Sequence, residues 1–436
     1  MEIWAFDFGP SSLILRRMPA AAQDADGIGK ISTATEAAIV AIAGEHGVIT
    51  PEMLGVLAPE DELGTGFLMR RANGEAMPHK ILGDAGYSKA MSGMAAQCAK
   101  QFALIHKIDP KLLPSDVPVT TPQLLLEQQR AAYIELKAHI PTFEYAFHWL
   151  EHNLPDAEEP VFLHGDFRMG NILIEPDSAD PGGLSAVLDW ELAHLGDPLQ
   201  DLAYFCTPNW RFGHYDKPVG GFADTEELLT AYEAETGKPI DRKRFQFWLI
   251  YSTLWWGNCC LRMIAMWREG IDRSLERTVI GRRVSEAEID LLLLLEEEFY
   301  DTPTQVEWQE PSLQSYGGES DDAELLEALI NWDKKSVIPN SDGRDLFQAR
   351  VAKNALGILQ RKAQYGAIFA ARNQQRLSDL GLSFGELSAG LSNGSLSIDD
   401  PKILGHLKLS AMEHLRIDQP HYAGLKTATA KWSDPS

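Results

Sequence analysis

At 436 residues, 44% of them hydrophobic and 23% charged, the chain is long enough for one to three domains and apolar enough for a sizeable core. A formal net charge of −24 excludes a general nucleic-acid binder, because phosphate would be repelled over most of the surface; solubility is its ordinary meaning. The four cysteines (Cys98, Cys206, Cys259 and Cys260) have no zinc-like spacing, and the start of the chain has no basic stretch leading into an apolar one. Apolar runs such as Leu291–Leu295 are far too short to span a bilayer. The expectation is a cytoplasmic protein with free thiols and no membrane partner.

In chain order, residues 1–18 read as a hairpin, Ile3 to Phe8 and Leu13 to Arg17 about a Gly9-Pro10-Ser11-Ser12 turn. Ala20 to Lys30 is small and polar and reads as a loop. A helix starts near Ser32 or Thr33, with Glu36 in its first turns. Val48 to Leu57 and Gly66 to Arg70 read as strands. Helical periodicity follows over Met91 to Ile105 and Pro122 to Ile140, and again over 199–206, 225–236, 241–268 and 284–298. Short buried strands are expected at Val161–Leu163, Ile172–Ile174 and Ala186–Leu188. The stretch 301–322 carries Pro303, Pro311, Gly317-Gly318 and several acidic residues, and reads as a linker. Beyond it, 323–436 reads as a separate helical unit, and Ser397-Ile398-Asp399-Asp400-Pro401 resembles a helix start.

Chemistry concentrates in two segments. In Leu163-His164-Gly165-Asp166 an apolar strand delivers an aspartate, and Asn171 follows five positions later, ahead of another apolar strand. Val187-Leu188-Asp189-Trp190-Glu191 begins sixteen positions after Asn171. Phosphoryl transfer from a nucleotide needs such a set: one carboxylate to meet an acceptor hydroxyl, and a loop oxygen plus a second carboxylate for divalent ions bridging the phosphates. Asp166 then orients the alcohol, Asn171 and Asp189 are hard oxygen ligands for Mg²⁺, and His164, Glu191 and Asp201 are auxiliary. Each segment taken alone also fits an ordinary strand-end turn, where Asp, Asn and Gly are common. Both together, in this order, favour the chemical reading.

The His-Gly-Asp-x-x-x-x-Asn loop, the apolar-Asp-Trp-Glu segment and the following Gly196-Asp197-Pro198-Leu199-Gln200-Asp201 resemble the aminoglycoside phosphotransferase and choline kinase-like family. Leu15-Arg16-Arg17, Phe67-Leu68-Met69, Leu104-Ile105-His106 and Ile280-Gly281-Arg282-Arg283 narrow the likeness to the branch associated with acyl-CoA dehydrogenases. It covers about residues 1–300. The resemblance implies an α+β, protein-kinase-like bilobal fold: a β-rich N-lobe (1–72), a helical C-lobe (73–300), the linker (301–322) and an all-α domain of unknown function (323–436). It implies ATP and Mg²⁺ as cofactors and a small-molecule alcohol as acceptor. Alternation along Leu13 to Arg16 puts Ile14 and Arg16 on one face, matching the Ala and Lys of the kinase Val-Ala-Ile-Lys strand. Arg16 is then the phosphate clamp and Glu36 its partner, with Arg17 as the fallback. Met69-Arg70-Arg71 reads either as the adenine-binding hinge or as a plain strand exit. Asp201 is expected to brace the loop. With Gly165 where protein kinases have an arginine, and a dozen residues between Asp189 and Asp201, no phosphorylated activation loop is expected. No Gly-rich turn precedes Trp4, so either the true start lies upstream, the reading favoured here, or the chain binds nucleotide without that cover.

The segment from Cys206 to Arg283 holds Trp210, Phe212, Tyr215, Phe222, Trp248 and Tyr251 together with several arginines. These read as core or, where they line a pocket, as favouring an apolar or anionic acceptor such as a hydroxyacyl compound or its CoA thioester. Arg350, Asn354 and His421 read as capping or surface residues, and the C-terminal domain as a scaffold that takes a partner protein. The competing readings are a pseudokinase-like nucleotide-binding scaffold and an aminoglycoside phosphotransferase, the latter predicting a carboxylate-rich pocket.

Overall fold

The computed structural model describes residues 1–19, 31–179, 182–313 and 317–433; the loop expected at Ala20 to Lys30 lies outside them. The chain forms two compact units, 1–125 with 154–252, and 126–153 with 253–436.

The first unit opens with the antiparallel hairpin of β1 (Glu2–Phe8) and β2 (Ser11–Met18). Gly9, at φ +59°, supplies the first position of the two-residue turn, where a side chain would be strained. Helix α1 (Thr33–Glu45) is capped as expected, the Ser32 hydroxyl accepting from the Thr35 amide, and it buries Glu36, Ala37, Ile39, Val40 and Ala43. Strands β3 (Met53–Val56) and β4 (Thr65–Arg70) complete a four-stranded sheet in the order β1-β2-β4-β3. The strand expected over Val48 to Leu57 is thus shortened to four residues. Pro51 has no amide hydrogen for a ladder, and pairing begins beyond it.

The rest of this unit is helical, with two small antiparallel ribbons inserted. Helix α2 (Met94–His106) buries Phe102 and Ile105. Strand β5 (Val161–Leu163) pairs with β8 (His194–Gly196), and β6 (Ile172–Glu175) pairs with β7 (Gly183–Val187). Helix α3 (Pro198–Phe205) starts at an Asp197 cap whose side chain accepts from the Leu199 amide. Helix α4 (Thr225–Thr236) has a capping box at Asp224 and Glu227 and ends at left-handed Gly237. Phe102, Phe167 and Phe205 pack together, and Trp190 lies fully buried with Phe162 and His164.

The second unit is all-α. The single helix expected over Pro122 to Ile140 is broken in two, Pro122–Glu135 and Pro141–His152. Lys137 is left-handed at φ +51°, and Ile140 is extended because a residue preceding proline cannot remain helical. Helices Val284–Glu296, Asp322–Trp332, Gly343–Leu380, Phe384–Asn393, Pro401–Asp418 and Ala423–Trp432 follow, with Asp400, inside the expected start Ser397–Pro401, as a cap. Buried Lys408 pairs with Glu296, donates to both oxygens of Thr304 and lies over the Trp432 ring. The Val306 amide donates to the Trp432 carbonyl. No helix among the described residues is long and apolar enough to cross a membrane.

Candidate active site

The site is assembled where β5 and β7 end and β6 begins. After Leu163 the chain turns sharply through Gly165, at φ +81°, where an added Cβ would lie 2.2 Å from the Leu192 carbonyl oxygen, so only glycine fits. The turn is held from α3: the buried Asp201 carboxylate accepts the His164 amide through Oδ2 at 2.8 Å and the Gly165 amide through Oδ1 at 2.9 Å. His106 Nε2 lies 3.3 Å from the same carboxylate, with its Nδ1 2.8 Å from the Tyr232 hydroxyl. Burial alone would raise the Asp201 pKa, but the hydrogen bond and charge of His106 bring it below the ordinary value. The ring of His164 is fully buried, which lowers its pKa. Its Nε2 lies 3.0 Å from the Leu188 carbonyl and its Nδ1 accepts the Asp166 amide, which assigns a neutral ring protonated at Nε2.

Three side chains then converge on Asp166. Oδ1 accepts from the Tyr204 hydroxyl at 2.8 Å and Arg168 Nε at 3.1 Å, and Oδ2 accepts from Asn171 Nδ2 at 2.6 Å. Burial raises the Asp166 pKa, with Arg168 and Tyr204 opposing. The nitrogen of Asn171 is directed to Asp166, so Oδ1 is the oxygen left to meet a cation. The β6–β7 register carries the cluster onward, Leu188 donating to the Asn171 carbonyl at 2.7 Å and setting Asp189 beside it. Asp189 stands at φ +65°, a costly backbone for a non-glycine residue and one that recurs at functional positions.

Arg16, buried on β2, reaches this point. Its Nη2 lies 2.7 Å from Asp189 Oδ1 and 2.9 Å from Glu191 Oε2, and its Nε lies 3.3 Å from Glu36 Oε2. Glu36 also accepts the Trp190 amide. Burial pushes the Glu36 carboxyl up to about 7, against the pull of Arg16. Asp189 Oδ1 is buried, with Arg16 as its ion-pair partner. Asp189 offers a carboxylate oxygen, and Asn171, whose carbonyl accepts the neighbouring Leu188 amide, an amide oxygen, a hard donor set that suits a divalent cation such as Mg²⁺. Among the described residues no group of three or more His, Cys, Asp and Glu forms a metal cage. Mg²⁺ needs none, since it is commonly held by one or two carboxylates plus phosphate and water.

The structure therefore brings together Arg16, Glu36, His164, Asp166, Asn171, Asp189, Glu191 and Asp201. Met69 and Arg70 stay apart from this network. They lie in β4 opposite Ile14 and Leu13, and the Arg70 side chain is directed to Glu52 and Ser11. Sequence reasoning missed Tyr204, Arg168 and the role of His106. Tyr204 follows Asp201 by three positions and so shares its helix face, which is a usable signal.

A β-rich sheet with its buried arginine–glutamate pair, joined to helices carrying this loop, defines a protein-kinase-like fold, here followed by an all-α region. The family model of the phosphotransferase enzyme family matches residues 4–241, and the chain belongs to that family. A domain of unknown function (DUF6285) matches residues 339–422. The chain is 34% identical over 140 residues to mouse acyl-CoA dehydrogenase family member 10, covering 30% of this chain and 12% of that protein. It is 38% identical over 122 residues to acyl-CoA dehydrogenase family member 11 of Pongo abelii, covering 26% and 15%. The chain thus spans well under a quarter of these relatives. A crystal structure from Ralstonia eutropha, of a candidate aminoglycoside phosphotransferase, superposes with TM-score 0.53 at 20% identity, covering 67% of this chain and 92% of that one. The fold is therefore that of small-molecule, kinase-like phosphotransferases.

Proposed function

We propose that the chain is a Mg-ATP-dependent phosphotransferase acting on an alcohol group of a small metabolite, with a hydroxyacyl compound or its CoA thioester as acceptor. The observation that carries this reading is the hydrogen-bonded run from Asp166 through Asn171 to Leu188, the residue before Asp189, whose carboxylate pairs with Arg16. Asp166 receives the acceptor hydroxyl; a carboxylate suffices because a loose transition state asks little of its base until late in transfer. Asn171 and Asp189 hold Mg²⁺, which neutralises charge on the phosphates when bound. Arg16 exchanges its carboxylate partners for phosphate oxygens, with Glu36 holding it in place. His164 and Asp201 fix the loop, Glu191 steadies Arg16, and the backbone at Met69 and Arg70 is assigned to the adenine. In this reading lobes 1–72 and 73–300 do the chemistry. The linker 301–322 joins them to a helical domain, 323–436, that takes a partner protein, and the protein works in the cytoplasm.

The acyl preference is supported by the names of the relatives and by arginine beside the site. The test is phosphoryl transfer from Mg-ATP to a panel of hydroxyacyl-CoA thioesters, hydroxy acids, diols and aminoglycosides. Asp166→Ala and Asp189→Ala are expected to lose at least about a hundredfold in rate, the range of a removed acid–base or metal-binding group. A wild-type protein that transfers to none of these acceptors, or variants as active as wild type, would sink the proposal.

A further inference from the structure

Arg168 has a feature that bracing Asp166 does not require. Its Nε donates to Asp166 Oδ1, and its Nη1 reaches the Met169 carbonyl at 3.3 Å. Its guanidinium carbon stands 4.5 Å from the Trp210 ring centroid, so the cation lies against an indole. Nη2 has no hydrogen-bond or ion-pair partner among the described residues. The side chain is 25% exposed, whereas Asp166, Tyr204 and Trp210 are all buried. Asp166 already accepts from Tyr204 and Asn171, so a third donor adds little to its orientation. The arrangement leaves a held, half-open cation within hydrogen-bond distance of the carboxylate that meets the hydroxyl.

We propose that Arg168 selects the acceptor, its free guanidinium nitrogen receiving an acyl oxygen that lies a few bonds from the hydroxyl engaged by Asp166. This rests on the phosphotransferase reading and deepens it. In the step itself the alcohol oxygen forms the new O–P bond as the bond from the γ-phosphorus to the β,γ-bridging oxygen breaks. The hydroxyl proton passes to Asp166, and ADP leaves. Arg168 takes no part in that exchange; it fixes the acyl end while the hydroxyl reacts. The acyl oxygen can come from a free carboxylate or from a thioester carbonyl. Guanidinium suits both, the carboxylate through charge and the carbonyl through a single N–H.

The experiment uses one carbon skeleton in three forms: 3-hydroxybutyrate, its CoA thioester, and butane-1,3-diol. Wild-type kcat/KM is expected to be at least tenfold higher for one of the two acyl forms than for the diol, and which one identifies the source of the oxygen. In Arg168→Gln that ratio should fall to within about threefold of unity, with Arg168→Lys in between. Tyr204→Phe, which removes a donor to Asp166 without touching Arg168, should lower all three acceptors alike and leave the ratio intact. An equal loss on all three acceptors in Arg168→Gln would mean that Arg168 only braces Asp166, and the inference fails. It also fails if the wild type prefers the diol, or phosphorylates other alcohols but none of these three. Mg-ATP binding, measured separately by calorimetry on the wild type, distinguishes these outcomes from failure of the kinase reading, which would show as no binding.

Discussion

Arg16→Met removes the guanidinium shared by Glu36, Asp189 and Glu191, and its cost has two parts with different pH dependence. Breaking a buried pair costs about 3–5 kcal/mol. The lower end applies here, because the Asp189 and Glu191 side chains are 30% and 19% exposed and water can take up part of their charge. The second part comes from Glu36. Its carboxyl titrates at about 7 in the folded protein, against an ordinary 4.5, so its proton is held more tightly folded than unfolded. That contribution to stability is complete below the unfolded value and is lost as pH rises towards 7, after which it is flat. Without Arg16 the pull that lowers the Glu36 value is gone while burial, Asp189 and Glu191 still raise it, so the loss continues above pH 7. Each further pH unit adds about 1.4 kcal/mol. The destabilisation by Arg16→Met should therefore be constant below about pH 6 and larger by about 1.4 kcal/mol at pH 8. Urea unfolding at pH 6, 7 and 8 measures it, with the same substitution repeated in a Glu36→Gln background, where the pH-dependent increment should vanish. A penalty independent of pH, or an increment that survives in the Glu36→Gln background, would refute the reasoning.

Two other substitutions probe separate parts of the molecule. Asp201→Ala leaves the His164 and Gly165 amides without their acceptor, and at about 1–3 kcal/mol for each unsatisfied buried donor it should cost several kcal/mol in chemical unfolding. A cost under about 0.5 kcal/mol, the range of an ordinary surface change, would mean the loop does not depend on it. Lys408→Met strands the Glu296 carboxylate and should cost about 3–5 kcal/mol. Adding Glu296→Gln should recover part of that loss, since it removes the stranded charge and the amide oxygen still accepts from Thr304, although its NH2 then faces the Trp432 Nε1 donor; a double variant no better than the single one contradicts this.

The candidate site was legible because its chemistry is local. Asp166 and Asn171 lie five positions apart on one loop, and their hydrogen bond follows from that spacing. The helix starts near Ser32 or Thr33 and within Ser397–Pro401 were equally plain, since a cap is decided within four residues, although the capping residues themselves, Ser32 and Asp400, come from the structure. The pairing of Arg16 with Glu36 followed from strand alternation and the kinase pattern, but its further reach to Asp189 and Glu191 depends on how the sheet packs over the loop. For the same reason the contacts of Arg168 with Trp210 and of His106 with Asp201 could not be read from spacing. The break in Pro122 to Ile140 escaped because apolar periodicity runs on past Glu135, while left-handed Lys137 and Pro141 decide the outcome. The lysine that ties Glu296 to Thr304 lies over a hundred residues further along, beyond any local pattern.

Electron paramagnetic resonance of Mn²⁺, titrated into the protein with ADP present, interrogates the metal site without depending on the acceptor. Nucleotide-dependent binding that is abolished in Asp189→Asn but retained in Asp166→Asn, whose phosphoryl transfer is lost, is the predicted result. Binding that is indifferent to Asp189, or absent from the wild type, would contradict the account.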